Sequence, residues 1–235
     1  MPPKLRAKLR KFYHQLLRTK VIRLSGVSLD ARHPGISRMV RNQLYRGTYE
    51  MRESLLVHKY LQSSDRVVEI GCGIGFIGCL CAKIIGSDQV FSYEANPNLE
   101  HVIRANYNLN RVNPCLTMHA VTRDGADVVI HVADNQISTS AISRNNVNTS
   151  PLTVKSTSLS EILVEIKPTI VVMDVEGLEV DLLASPLELD DVRLIIAETH
   201  PHIVGTAKID AMNNYLEEAG FRIADANDKV VVYAQ

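Results

Sequence analysis

An open α/β domain built on a seven-stranded, mostly parallel sheet is the fold this sequence predicts, and three observations carry that reading. From residue 66 onward, short runs rich in Val and Ile alternate with helix-length segments, the pattern of parallel strands joined by crossover helices. A turn with three glycines, Gly71, Gly73 and Gly75, separates the first run from the first of these helices. The last two runs are separated only by residues 226–229, too few for a crossover, so they must close the sheet as an antiparallel hairpin.

The elements follow in order. Strands are expected at 66–70, 90–94, 115–120, 169–174, 192–198, 221–225 and 230–234, where β-branched residues cluster between turn residues. Helices are expected at 76–86, 97–110, 158–166, 178–184 and 207–219, with Pro97 in a first turn and Ser158 as a cap. The connection from Thr122 to Thr157 breaks this rhythm. It offers two further strands, 128–132 and 152–156, around a polar stretch at 135–150 rich in Ser, Thr and Asn. Such an excursion reads as a functional loop, here a lid that shapes the acceptor pocket.

Composition bounds the class. With 46% hydrophobic and 22% charged residues, the 235-residue chain can bury a sizeable core and is not a disordered one. Cys72, Cys79, Cys81 and Cys115 include no C-x-x-C pair, which argues against a disulfide framework or zinc ribbon and for a reducing, cytoplasmic setting. The sequence holds neither 18 consecutive apolar residues nor a leader pattern, so membrane spanning and secretion are not expected.

A net charge of zero hides an asymmetry. Residues 1–25 carry eight basic side chains and no acid, which leaves 18 basic against 26 acidic residues in the rest. Leu5, Leu9, Phe12 and Leu16 recur at helical spacing within this segment, so residues 1–46 read as a basic helical arm ahead of a domain at 47–235. The simplest arrangement packs the Leu/Phe stripe on the body and leaves the cations in water. The alternative lays the arm on an anionic membrane or on nucleic acid.

The glycine turn admits two ligands. Read from Gly73, it fits a dinucleotide fingerprint, with Glu94 21 residues on as a ribose-binding acid. Read from Glu69, it is E-x-G-x-G-x-G, the loop of S-adenosylmethionine-dependent methyltransferases. A pyrophosphate wants bare amides and a helix N-terminus, whereas an ammonium and a sulfonium want a carboxylate. Glu69 therefore favours the sulfonium ligand. The expected cofactor contacts are Glu69, Gly71, Gly73 and Gly75 in the loop, Glu94 on the ribose hydroxyls, Ala95 and Asn96 beside the nucleoside, and Ala120 and Val121 near the adenine.

These segments, together with Asp174-Val175-Glu176-Gly177-Leu178-Glu179, the Asn-rich stretch 106–113, Tyr49-Glu50 and the E-x-H of Glu198 and His200, resemble the FkbM-type family of S-adenosylmethionine-dependent methyltransferases. The resemblance runs from about Gly47 to the end. It implies a class I methyltransferase, a Rossmann-like sheet whose last strand is antiparallel, and O-methyl transfer to a sugar or other hydroxylated metabolite. Cys72 departs from the small residue more usual there.

Methyl transfer is an in-line displacement, so the enzyme must align an acceptor oxygen and remove its proton. Asp174, Glu176, Glu198 and His200 fall at the carboxyl ends of adjacent strands, where open α/β sheets bind ligands. His200 is the expected base, since an imidazole titrates near working pH. Asp174 and Glu176 would orient the acceptor or hold the proton themselves. A divalent cation is compatible with this donor set but is not predicted. The Asp174–Gly177 turn lacks the prolines and aromatic ring of enzymes that methylate base amines, and the acidic body repels phosphate, which leaves nucleic acid only the basic arm. The expected function is thus O-methylation of a glycan or small-metabolite hydroxyl. The alternative is an RNA- or membrane-associated binding module that uses the arm.

Overall fold

Side chains along the central strands alternate between two cores, because successive residues leave a strand on opposite faces. In the computed structural model, which describes residues 2–133, 136–140, 149–184 and 187–235 (the backbone alone at 131–133, 136–140 and 149), Val67, Ile170, Val172, Leu194 and Ile196 enter one apolar cluster. Val68, Ile70, Val171, Met173, Ile195 and Ala197 enter the other.

The first half of the chain forms α1 (Pro3–Leu16), β1 (Val21–Leu24), β2 (Val27–Asp30), α2 (Arg38–Arg46), α3 (Met51–Tyr60), β3 (Val67–Ile70), α4 (Phe76–Ile85), β4 (Val90–Tyr93) and α5 (Glu100–Asn110). Next come β5 (Cys115–Thr117), β6 (Ala120–Thr122), β7 (Val128–Ala133), β8 (Gln136–Ser140), β9 (Thr149–Val154), β10 (Ser156–Ser158) and α6 (Leu159–Ile166). The chain closes with β11 (Ile170–Met173), α7 (Glu179–Leu183), β12 (Leu194–Glu198), α8 (Pro201–Val204), α9 (Thr206–Glu218), β13 (Arg222–Asn227) and β14 (Val230–Ala234).

Seven strands make the central sheet in the order β13-β14-β12-β11-β3-β4-β5. All run parallel except β14, which is antiparallel to both β12 and β13. The expected seven-stranded sheet with its closing hairpin is therefore present. Ser158 caps α6 in a reciprocal box with Glu161, as its position suggested.

Three expectations need correction. The third strand, expected at 115–120, leaves the sheet after Thr117, and Ala120–Thr122 pairs with β10 instead. His119 marks the departure, its ring nitrogen 3.0 Å from the Thr157 hydroxyl. The following excursion folds as a small antiparallel sheet, β8-β7-β9. Of the polar stretch 135–150 read as a lid, 136–140 form β8 and 149–150 open β9, while 135 and 141–148 lie outside the described residues.

The second correction concerns the amino-terminal segment. Between its helices lies a hairpin, β1-β2, turned by Ser25 and Gly26, both at positive φ as a two-residue type I′ turn requires. Ile22, Leu24, Val27 and Leu29 point inward and join the first cluster. Asn110 and Asn106, one turn apart on α5, grip the free edge of β2. Asn110 accepts from the Ser28 amide at 2.9 Å and donates back to its carbonyl at 2.7 Å. Asn106 accepts from the Asp30 amide and donates to the Ile74 carbonyl, both at 2.9 Å, so one buried side chain ties the hairpin to the glycine turn. The third correction is the orientation of α1, whose Leu/Phe stripe faces solvent rather than the body.

Glu69 on β3 is buried in the first core. Its carboxylate accepts from the Gly78 amide at 2.9 Å and the Ser92 hydroxyl at 2.5 Å, and Tyr107 donates in turn to Ser92 at 3.0 Å. A Cβ on Gly78 would lie 2.6 Å from Glu69 Oε2 and 2.8 Å from Ser92 Oγ, so only glycine lets α4 approach this network. Burial pushes the Glu69 carboxyl up from its ordinary 4.5 to about 7, against the pull of both hydrogen bonds.

Replacing Asn106 by Ala leaves the Asp30 amide and the Ile74 carbonyl without their partner and is expected to cost about 2–4 kcal/mol, read as a lower urea midpoint with an unchanged slope. Glu69 gives a pH signature. The folded chain keeps a proton there that the unfolded chain loses near the ordinary value, so this group's contribution to stability declines as pH rises from about 4.5 to about 7. Urea melts across that window should show a shallower decline for Glu69→Gln than for the unaltered protein.

Candidate active site

The strand order reverses between β3 and β11, and the crevice outside their carboxyl ends is where ligands bind in open sheets. A cleft of about 470 Å³ opens there. The glycine turn lies tight against its floor: the amides of Gly71 and Cys72 both donate to the Tyr93 carbonyl, and a side chain on Gly71 would strike the Asp174 carbonyl oxygen.

Glu94, just beyond β4, is the anchor of one end. Its two carboxylate oxygens accept from the Gly73 and Asn96 amides, each at 2.9 Å, which fixes the group in the cleft lining. Burial raises this carboxyl to about 7 despite those bonds. Ala95, Leu99, Ala120, Val121 and Ile130 supply apolar wall beside it. The Ala120 amide already donates to the Lys155 carbonyl at 2.9 Å, so Ala120 contributes surface rather than a free donor.

The other end is anionic. Asp174 follows β11, Glu198 ends β12, and His200 lies two residues beyond it, just before α8. His200 Nε2 stands 3.7 Å from Glu198 and 3.9 Å from Asp174, while Nδ1 faces Glu179 Oε1 at 3.4 Å. Glu179, wholly buried, spans the turn: it accepts from the Gly177 amide and the His200 amide, both at 2.7 Å. Burial works against an imidazolium here, but Glu179, Asp174 and Glu198 outweigh it and hold the His200 pKa above its ordinary value. Burial and the neighbouring Glu198 carboxylate push Asp174 up to about 8, and its inner oxygen has no hydrogen-bond partner. Asp174, Glu198 and His200 offer one donor atom each within 4.8 Å of one another, a set able to hold a divalent cation.

Tyr49 and Glu50 close over the turn from the start of α3, for a Cβ on Gly73 would meet the Tyr49 hydroxyl at 2.9 Å and a Glu50 oxygen at 3.5 Å. Glu50 and Glu176 both line the cleft in left-handed backbone, at φ 43° and 45°, a conformation that costs a non-glycine residue energy and concentrates at functional sites. Burial raises the carboxyls of Glu50 and Glu53, with nearby carboxylates adding to it.

Of the residues expected from sequence, Gly71, Gly73, Glu94, Ala95, Ala120 and Val121 line the cleft, as do Asp174, Glu176 and His200. Three do not. Glu69 is consumed by the interior network behind the turn, Gly75 packs against Tyr107 and Ile103, and the buried Asn96 shapes the turn through its amide and its cap on Asn98. The inference that Glu69 itself meets a cationic ligand is thus revised: the carboxylates that line the cleft are Glu50, Glu53, Glu94, Asp174, Glu176 and Glu198. Glu50, Glu53 and Glu179 were not among the expected site residues. Tyr49-Glu50 stood out in the sequence as a motif, but no spacing pointed to Glu179 as the partner of His200.

The model of the methyltransferase FkbM domain matches residues 72–223. A search of curated proteins finds no match. Among solved structures, a methyltransferase from Pyrococcus furiosus is 12% identical with a TM-score of 0.50, and the likeness covers 98% of this chain and 96% of that one. M. jannaschii TYW2 in complex with AdoMet is 17% identical (TM-score 0.47, 91% and 84% covered). Methyltransferase FkbM from Methylobacillus flagellatus KT is 13% identical (TM-score 0.45, 84% and 55% covered). At 12% identity the first of these likenesses is one of fold alone. The family match is of another kind, since it spans well over half of the chain, from the glycine turn into β13, and by it this protein belongs to the FkbM methyltransferase family.

Proposed function

We propose that this methyltransferase uses S-adenosylmethionine to methylate a hydroxyl of a glycan or small hydroxylated metabolite. The observation that carries the reading is the convergence of Glu50, Glu94, Asp174, Glu176 and Glu198 on one cleft, three of them held well above the usual carboxylate range. Such a cavity repels a pyrophosphate and is relieved by a cation. Of the basic side chains at its rim, Arg52 is paired with Asp228 at 2.6 Å.

The residues fit the cofactor in two parts. Glu94, locked by two amides, suits the ribose hydroxyls, because a carboxylate offers only acceptors, and the wall of Ala95, Leu99, Ala120 and Val121 suits an adenine. The open backbone of Gly71 and Gly73 and the acidic side of Glu50 and Asp174 suit the cationic methionine end. When bound, S-adenosylmethionine supplies a methyl group made electrophilic by its sulfonium.

The chain's part is to hold the acceptor and take its proton. Asp174 is the better base than His200. Its raised pKa and its partly exposed place in the cleft lining suit it to accept a proton, whereas His200, surrounded by three carboxylates, favours the imidazolium and holds Asp174 and Glu198 in place. Glu176 and Glu198 offer acceptors to neighbouring hydroxyls, which is the support for a polyol rather than an amine or a base. The absence of Pro and aromatic residues from the Asp174–Gly177 turn supports the same choice.

Calorimetry should find that Glu94→Gln lowers cofactor affinity about 10- to 100-fold, the value of a hydrogen bond to a charged group. Undiminished binding would remove the ribose assignment. With a labelled methyl donor and a panel of sugars, hydroxylated metabolites and amines, transfer should go to oxygen, and transfer to amines alone would overturn the reading. On the accepted substrate, Asp174→Asn should lose about a hundred- to ten-thousand-fold in rate with donor binding retained. The rate should climb with pH as Asp174 loses its proton, with the limb at or below about 8, since a bound cation favours the carboxylate.

A further inference from the structure

Helix α1 is docked the wrong way round for a surface helix. Such helices turn their apolar stripe to the core and their charges to water. Here the half-buried side chains are Ala7, Arg10, Lys11 and His14, one polar face of the helix. Arg10 packs its guanidinium against Gly47, where α2 ends, His14 stacks near Tyr45 at 5.7 Å, and Gln15 donates to Asn42 at 3.3 Å. On the opposite face, Leu5, Leu9, Phe12 and Leu16 are 47%, 51%, 66% and 70% exposed, and none of the fourteen residues of α1 is buried. Lys4 and Lys8 border this stripe on one side and Arg6 on the other, by helical spacing of 3.6 residues per turn.

From this arrangement we infer that the outer face of α1 seats the enzyme on an anionic lipid surface. A continuous apolar stripe left in water marks an interaction site, and its cationic borders select the occupant. An apolar stripe flanked by Lys and Arg is the design of a helix lying in the plane of a membrane, the stripe among the acyl chains and the cations on the headgroups. Nucleic acid would account for the cations but not for outward Leu and Phe, which find no partner on a phosphate backbone. A second copy meeting α1 face to face would set like charges together, for the first 25 residues hold no acid. The polar inner face completes the case: α1 is held to α2 by Arg10, His14 and Gln15, which leaves the stripe free without unfolding anything.

The test is co-sedimentation of the full chain with vesicles of phosphatidylcholine alone and of phosphatidylcholine mixed with phosphatidylserine. Binding should be at least about tenfold tighter to the anionic vesicles and should weaken with salt. Leu9→Ser with Phe12→Ser, and separately Lys4→Glu with Lys8→Glu, should each lose about tenfold or more of that binding. Both variants should keep the circular dichroism and thermal midpoint of the parent, since none of these four side chains is buried. Equal affinity for neutral vesicles, or full binding by the Leu9/Phe12 variant, would overturn the inference. So would a salt-sensitive complex with short RNA that outcompetes the vesicles, or a dimer in sedimentation that the Leu9/Phe12 variant abolishes.

Discussion

Glu50, Glu53, Glu94 and Asp174 converge on one cleft where burial holds each carboxyl above its ordinary value, and much of the molecule is arranged around that constraint. Each is handled differently. Glu94 is given two amide donors, Glu50 the neighbouring Tyr49, and Asp174 and Glu198 share His200. Glu179 completes the scheme from below: His200 and backbone amides overcome its burial and drive it toward ionisation. A cavity prepared in this way discriminates by charge before shape enters.

Behind the cleft, the glycine turn depends on two polar anchors inside the apolar core. Glu69 holds the amide of Gly78 on the first turn of α4, and Asn106 holds the carbonyl of Ile74. Both are buried and both reach further, Glu69 to Ser92 on β4 and Asn106 to Asp30 on β2. Buried polar groups of this kind are costly when unpaired and specific when paired. Together with the buried side chains of Cys72 and Ile74, which pack into the first cluster, they set the position of the turn.

The legible parts of the sequence were those in which one periodicity decides. The strands of the central sheet, apart from the early end of the third at Thr117, are read correctly because short β-branched runs flanked by turn residues have few other solutions, and the closing hairpin follows from a connection too short for anything else. That Glu94, Asp174 and His200 would meet at one cleft was legible because strand ends in such sheets converge. Glu69 was misplaced because its position next to the glycines does not show that it still lies within β3, on a face that is wholly covered, whereas the cleft opens only beyond the strand's carboxyl end. The β1-β2 hairpin was missed because its strands are four residues each, short enough to vanish between two helical patterns. For α1 the apolar stripe was visible, but an amphipathic pattern does not say which neighbour it will choose.

The position of β3 carries a practical consequence for anyone dissecting this chain. The family match begins at residue 72, immediately after the strand that is paired on one edge with β4 and on the other with β11. A fragment cut at that point would be divided down its middle, with two raw strand edges where the keystone had been. It would also lack the hairpin that Asn106 and Asn110 clasp. Precipitation of such a fragment would report its missing keystone, and would say nothing about the chemistry of the intact enzyme.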